Sequence, residues 1–160
     1  MAKAPKYPFI GVVKLDVFDV EVPVYLSDDD RVAALKNCGV QAEPYDGAYH
    51  GLTTINQADC GLLFFSLVIP IDSEDATWVH EASHLADFIM ETLGMDPGPG
   101  NTETRAYMTA HIFRQISNIL DAHLEIQRKK ALAAQKRQEK RVKKLADGIG
   151  ATLDYSQTLQ

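Results

Sequence analysis

The spacing of apolar positions changes along this chain and separates strand-like from helix-like stretches. Over 9–26, FIGVVKLDVFDVEVPVYL is rich in Val and Phe, and Asp16 and Asp19 interrupt the apolar neighbours in partial alternation. That pattern predicts two strands with a turn between Asp19 and Pro23. Ser27 followed by Asp28, Asp29 and Asp30 is an N-cap cluster; it predicts a short helix over RVAALKNCG, ended by Gly39. EPYDGAYHG is turn-forming around Asp46 and Gly47. GLTTINQADCGLLFFSLVIP then predicts two strands joined by a turn over 57–61, and the second, 62–69, is apolar enough to be well covered.

From Ser73 the period lengthens. Ser73, Glu74 and Asp75 precede a helix predicted over 77–93, where acids complement the partial positive charge of the N-terminus. Gly94 stops it, and DPGPG at 96–100 is a loop. A further helix is predicted from Asn101 or Thr102, with apolar residues at 106, 107, 108, 112, 113, 116, 119, 120 and 124. Beyond Arg128 the residues favour helix one by one but offer no apolar face. Gly148 and Gly150 end the helical pattern, and the last ten residues are expected to be mobile.

Composition narrows the class. A chain of 160 residues, 46% hydrophobic and 24% charged, is an ordinary globular domain with room for a short appendage, not a disordered chain. Its 10 Gly and 7 Pro exclude a collagen-like protein, and two cysteines are too few for a disulfide scaffold. The longest apolar run, 61–71, is broken by Ser66 and Pro70 and falls far short of the ~20 residues that span a bilayer. MAKAPKYPFIGVV lacks the sustained apolar core of a secretory leader. The expectation is a cytoplasmic protein with reduced thiols and no membrane association.

Charge divides the chain. Residues 1–127 carry 19 acids against 7 bases, a net −12, whereas 128–160 carry 9 bases against 3 acids, a net +6. An acidic domain over 1–127 and a basic helical extension with a tail over 128–160 are therefore expected. The basic stretch 128–144 suits an acidic partner or nucleic acid.

The chemistry lies in W-V-H-E-A-S-H-L-A-D, which places H-E-x-x-H inside a predicted helix. Residues four apart share a helical face, so His80 and His84 can direct two imidazole nitrogens at one Zn²⁺. Glu81 lies about 100° round the helix, where it can reach a water without binding the metal, the position of a general base. A G-x-x-H continuation would need Gly at position 87 and His at 90; Asp87 and Met90 exclude that class.

A catalytic zinc takes three protein ligands, and two carboxylates are open for the third. Glu103 is 19 residues beyond His84, in the first turn of the next helix, and an antiparallel return would bring it over the histidines. Asp87 shares their stripe but sits a turn away. Glu103, Tyr107 and His111 recur at intervals of four on one face. Tyr107 and His111 could donate to a developing oxyanion, orient a ligand, or simply pack with a satisfied polar tip. His50, His123, Cys38 and Cys60 lack helpful spacing and are expected to be structural or surface residues.

His80-Glu81-Ala82-Ser83-His84, with a loop and then Glu103 in a helix, resembles the zincin metallopeptidases of the gluzincin type over about 60–115. Glu103-Thr104-Arg105-Ala106-Tyr107 is similar to the glutamate-helix segment of small zincin-like proteins, including those encoded by phages and prophages. The resemblance implies an α+β fold: a small, mostly antiparallel sheet packed on the H-E-x-x-H helix and the following glutamate helix, a minimal zincin. It implies that 62–69 is the edge strand along which a peptide or protein substrate lies extended. It also implies peptide-bond hydrolysis, with zinc on His80, His84 and Glu103 and Glu81 as base. Where larger gluzincins carry aspartate four residues after the glutamate, this chain has Tyr107. Two other readings remain. One is a zinc-holding but non-hydrolytic binding or inhibitory module, such as a phage factor acting on a host protein in the host cytoplasm through its basic tail. The other is a nucleic-acid-associated protein with a degenerate site.

Overall fold

The computed structural model describes residues 9–96 and 98–157, with side chains described as far as 145. The expectations for the first eight residues and for 158–160 lie outside the described residues. The chain divides into two compact units, Met1–Asp121 and Ala122–Gln160.

The first unit is α+β. Strand β1 (Gly11–Leu15) and strand β2 (Val20–Tyr25) are joined by a 3-10 turn, Asp16–Phe18, and by Asp19 in the left-handed region at φ 53°. A short polar side chain tolerates that backbone. The turn is therefore complete at Asp19, and Pro23, expected within it, lies inside β2 opposite Val12. The pairing of β2 with its other neighbour begins only at Val24, beyond the proline that has no N–H to give.

Helix α1 (Asp28–Asn37) begins earlier than expected. Ser27 caps it, its hydroxyl accepting from the Asp30 N–H at 3.3 Å, so Asp28–Asp30 form the first turn instead of preceding it. Gly39, at φ 75°, ends it. Strand β3 (Leu52–Gln57) and strand β4 (Leu63–Val68) follow, then helix α2 (Asp75–Thr92) and helix α3 (Thr102–Gln157).

The sheet order is β1-β2-β4-β3. The pairs β1–β2 and β3–β4 are antiparallel, but β2 and β4 run parallel, so the sheet is mixed and not simply antiparallel. The stretch 62–69 is also not an edge. Phe65, Leu67 and Ile69 face one core while Phe64 and Val68 face others, and such two-sided burial places β4 inside the sheet. The edges are β1 and β3.

Alternation along the strands sorts the helices. Val13, Val22, Val24 and Leu67 pack with Leu85, Ile89, Ile112 and Ile116, so α2 and the start of α3 cover one face. Tyr25 and Val68 pack with Ala34, which puts α1 on the other. β1 and α3 meet closely: a Cβ on Gly11 would fall 2.6 Å from Ile119 Cγ2.

In the second unit α3 runs on to Gln157, past Gly148 and Gly150, which were expected to end it. A mid-helix glycine costs only ~1 kcal/mol relative to Ala, and no proline follows to force a stop. Every side chain from Leu124 to Leu145 is exposed. Among the described residues no helix is long and apolar enough to cross a membrane.

Candidate functional site

The start of α2 is tied to the end of β4. Trp78 Nε1 donates to Ser73 Oγ at 2.9 Å, and Ser73 Oγ donates to the Pro70 carbonyl at 2.6 Å. With Ala82, Leu85, Ala86 and Ile89 turned to the sheet, residues on the opposite sector must face out, and His80 and His84 are both exposed there. Their Nε2 atoms are 3.0 Å apart and their rings stand at 89°, with centroids 4.5 Å apart. The His84 ring also stacks on Phe88 at 6.3 Å.

Glu81 turns the other way and is 4% exposed. A buried carboxylate needs donors. Thr53, on the α2 side of β3, donates its hydroxyl to Glu81 Oε2 at 2.6 Å and lies 3.1 Å from the Glu81 carbonyl. Gly51 completes the cradle, since a Cβ there would fall 2.6 Å from Glu81 Cγ and 2.8 Å from Thr77 Cγ2. His50, Gly51, Ala76, Thr77, His80 and Glu81 line one open cleft of about 360 Å³.

His50, expected to be structural or a surface residue, thus borders the same cleft as His80 and Glu81. The loop that delivers it, between α1 and β3, is anchored by α1. Asp28 and Arg31 form a buried ion pair; Asp28 Oδ2 accepts from the Tyr45 N–H at 2.7 Å, and Arg31 Nη2 donates to the Glu43 carbonyl at 3.0 Å. The Tyr49 hydroxyl accepts from the Asp28 N–H at 3.2 Å. No spacing announces this placement, because it depends on the loop's path.

The antiparallel return of α3 along α2 is present: Arg105 meets Ser83 and Asp87, while Phe113 meets Trp78 with ring centroids 6.5 Å apart. The residue facing α2 from the first turn is Arg105, however, not Glu103. Arg105 Nη2 donates to Ser83 Oγ and to Asp87 Oδ2, each at 2.8 Å, and its Nε donates to Asp87 Oδ1. The Asp87 carboxylate, by hydrogen bond and then by charge, holds the guanidinium above its usual pKa. Arg105 thus engages both Asp87 oxygens.

Two residues before Arg105 is about 200° round the helix, and Glu103 is exposed there. Among the described residues, no three His, Cys, Asp or Glu side chains stand together ready to hold a metal. Tyr107 and His111 gather elsewhere. With Met108 they border an apolar pocket of about 250 Å³ against residues 15–18. Tyr107 is 74% exposed, and His111 Nε2 lies 3.2 Å from the Lys14 carbonyl. Gln115 accepts from the Lys14 N–H at 2.8 Å and donates to its carbonyl at 2.7 Å, closing that stretch of the β1 edge. Neither residue lines the cleft beside Glu81. Cys38 and Cys60 are free and exposed. Compared with known proteins, the chain matches no family, no curated sequence and no solved structure.

Proposed function

We propose that this chain is a zinc-dependent metallopeptidase of minimal zincin design. The observation that carries the reading is the His80–His84 pair, whose two Nε2 atoms converge to 3.0 Å. Two nitrogens on a tetrahedral zinc, each at ~2.0–2.1 Å, stand about 3.3 Å apart, so a small opening of the pair admits the ion. The donor chemistry suits zinc as well. Glu103 is the third ligand. Arg105 docks the first turn of α3 beside Ser83, the neighbour of His84, and a rotation of that turn would be needed to carry Glu103 from its exposed side to the pair.

His80, His84 and Glu103 would hold the zinc, which would supply Lewis acidity and acidify a water towards neutrality. Glu81 accepts the proton of the attacking water and later delivers it to the leaving amine. Thr53 fixes one carboxylate oxygen, so the base is held on the cleft side of α2. An extended peptide lies along β3, the edge strand next to α2, with the cleft at His50 and Gly51 receiving it.

Cleavage of a denatured protein mixture tests the reading. Glu81→Gln is expected to retain zinc and lose hydrolysis by about 10²- to 10⁴-fold, and a chelator should abolish wild-type cleavage. Undiminished hydrolysis in the variant would remove Glu81 from its role. A second reading, a zinc-holding module without hydrolysis, is favoured by the separation of Glu103 from the histidines; it predicts bound zinc and no cleavage in the wild type.

A further inference from the structure

The second unit carries a face that apolar periodicity does not reveal. Within 128–145 nine residues are Lys or Arg, one is acidic, and all are exposed on α3. At about 100° per residue, eight of these nine cations fall within an arc of about 160°. Lys129, Lys136, Lys140 and Lys143 form one row, and Lys130, Arg137, Arg141 and Lys144 form the row beside it. The opposite arc holds Ala131, Leu132, Ala134, Gln138, Val142 and Leu145, with Gln135 donating to Glu139 at 3.0 Å.

Gathering like charges on one side is costly for an isolated helix. Lys136 and Lys140, Arg137 and Arg141, and Lys140 and Lys144 are all four apart, and each such pair costs roughly 0.2–0.5 kcal/mol. A helix that merely needed solubility would spread these residues and alternate them with acids. An anionic partner turns the arrangement from repulsive to attractive.

We propose that residues 129–144 bind duplex nucleic acid through its phosphates. The rows extend over about 22 Å, and a helix about 10–12 Å across enters a major groove about 12 Å wide with charge directed at both of its phosphate walls. Single strands are disfavoured, since no aromatic residue lies between His123 and Tyr155 on which bases could stack. A bilayer surface is disfavoured too, because the arc opposite the cations, although it holds Leu132, Val142 and Leu145, is interrupted by Gln135, Gln138 and Glu139. The contacts are with phosphate and carry no base sequence.

Anisotropy titration of the full chain against a labelled 20-base-pair duplex tests this. Engagement of about five phosphates predicts a Kd rising roughly 10²- to 10³-fold between 50 and 200 mM salt. The decisive variant carries Lys136→Gln, Lys140→Gln, Gln135→Lys and Gln138→Lys together. It keeps net charge, and Lys and Gln have similar helix propensity. Binding is expected to weaken at least tenfold, with a shallower salt dependence. Equal binding by the variant would overturn the proposal, as would no wild-type binding at 50 mM salt. So would equal or tighter binding to a 20-base single strand, to polyglutamate or to vesicles containing phosphatidylserine.

Discussion

Glu81 owes its place to two neighbours outside the H-E-x-x-H motif, the hydroxyl of Thr53 and the missing side chain of Gly51. Gly51→Ala would drive a Cβ to within 2.6 Å of Glu81 Cγ, so the carboxylate must move. A base displaced by ~1 Å loses about 10²-fold in rate, and the expected result is that loss of peptide cleavage with zinc content unchanged. Wild-type turnover in Gly51→Ala would show that the cradle is not needed. At this scale the sequence is readable where helical spacing alone fixes geometry. His80 and His84 meet because residues four apart must. His50 and Gly51 reach the same cleft through a loop whose path is set by Asp28 and Arg31, and no local pattern encodes that. Tyr107 and His111 share a face, as their spacing requires, but which element that face meets depends on the packing of α3 against β1.

Between elements, the docking of α3 on α2 rests on Arg105 bridging Ser83 and Asp87. The Arg105 and Asp87 side chains are 40% and 25% exposed, so the pair is worth about 1 kcal/mol. Arg105→Ala is expected to lower the urea midpoint accordingly and to weaken zinc binding about tenfold, because the same turn carries Glu103. A variant with wild-type zinc affinity would separate that turn from the metal site. Helix and strand positions were largely legible, since 3.6-residue and two-residue periods are local properties. The parallel pairing of β2 with β4 was not, because α1 and β3 intervene and no turn links the partners. The resemblance to zincins, not the strand pattern, is what suggested 62–69 as an edge, and the edges proved to be β1 and β3. The helix stop expected at Gly148 failed for a related reason: glycine permits a cap without compelling one.

Over the whole chain, charge divides an acidic stretch to residue 127 from a basic one beyond it, whereas the compact units divide at Asp121, within α3. What composition leaves out is direction. The cations of 129–144 share one side of α3, which only helical phase reveals. The two units therefore carry separate tests, since duplex binding should survive a chelator and peptide cleavage should not. For the first unit the most direct measurement is zinc content and affinity by elemental analysis and competition titration, on wild type, His84→Ala and Glu103→Ala. One tightly held zinc per wild-type chain, none in His84→Ala and at least tenfold weaker binding in Glu103→Ala are expected. Wild-type protein that takes up no zinc from a saturating solution would contradict the metal centre at its root.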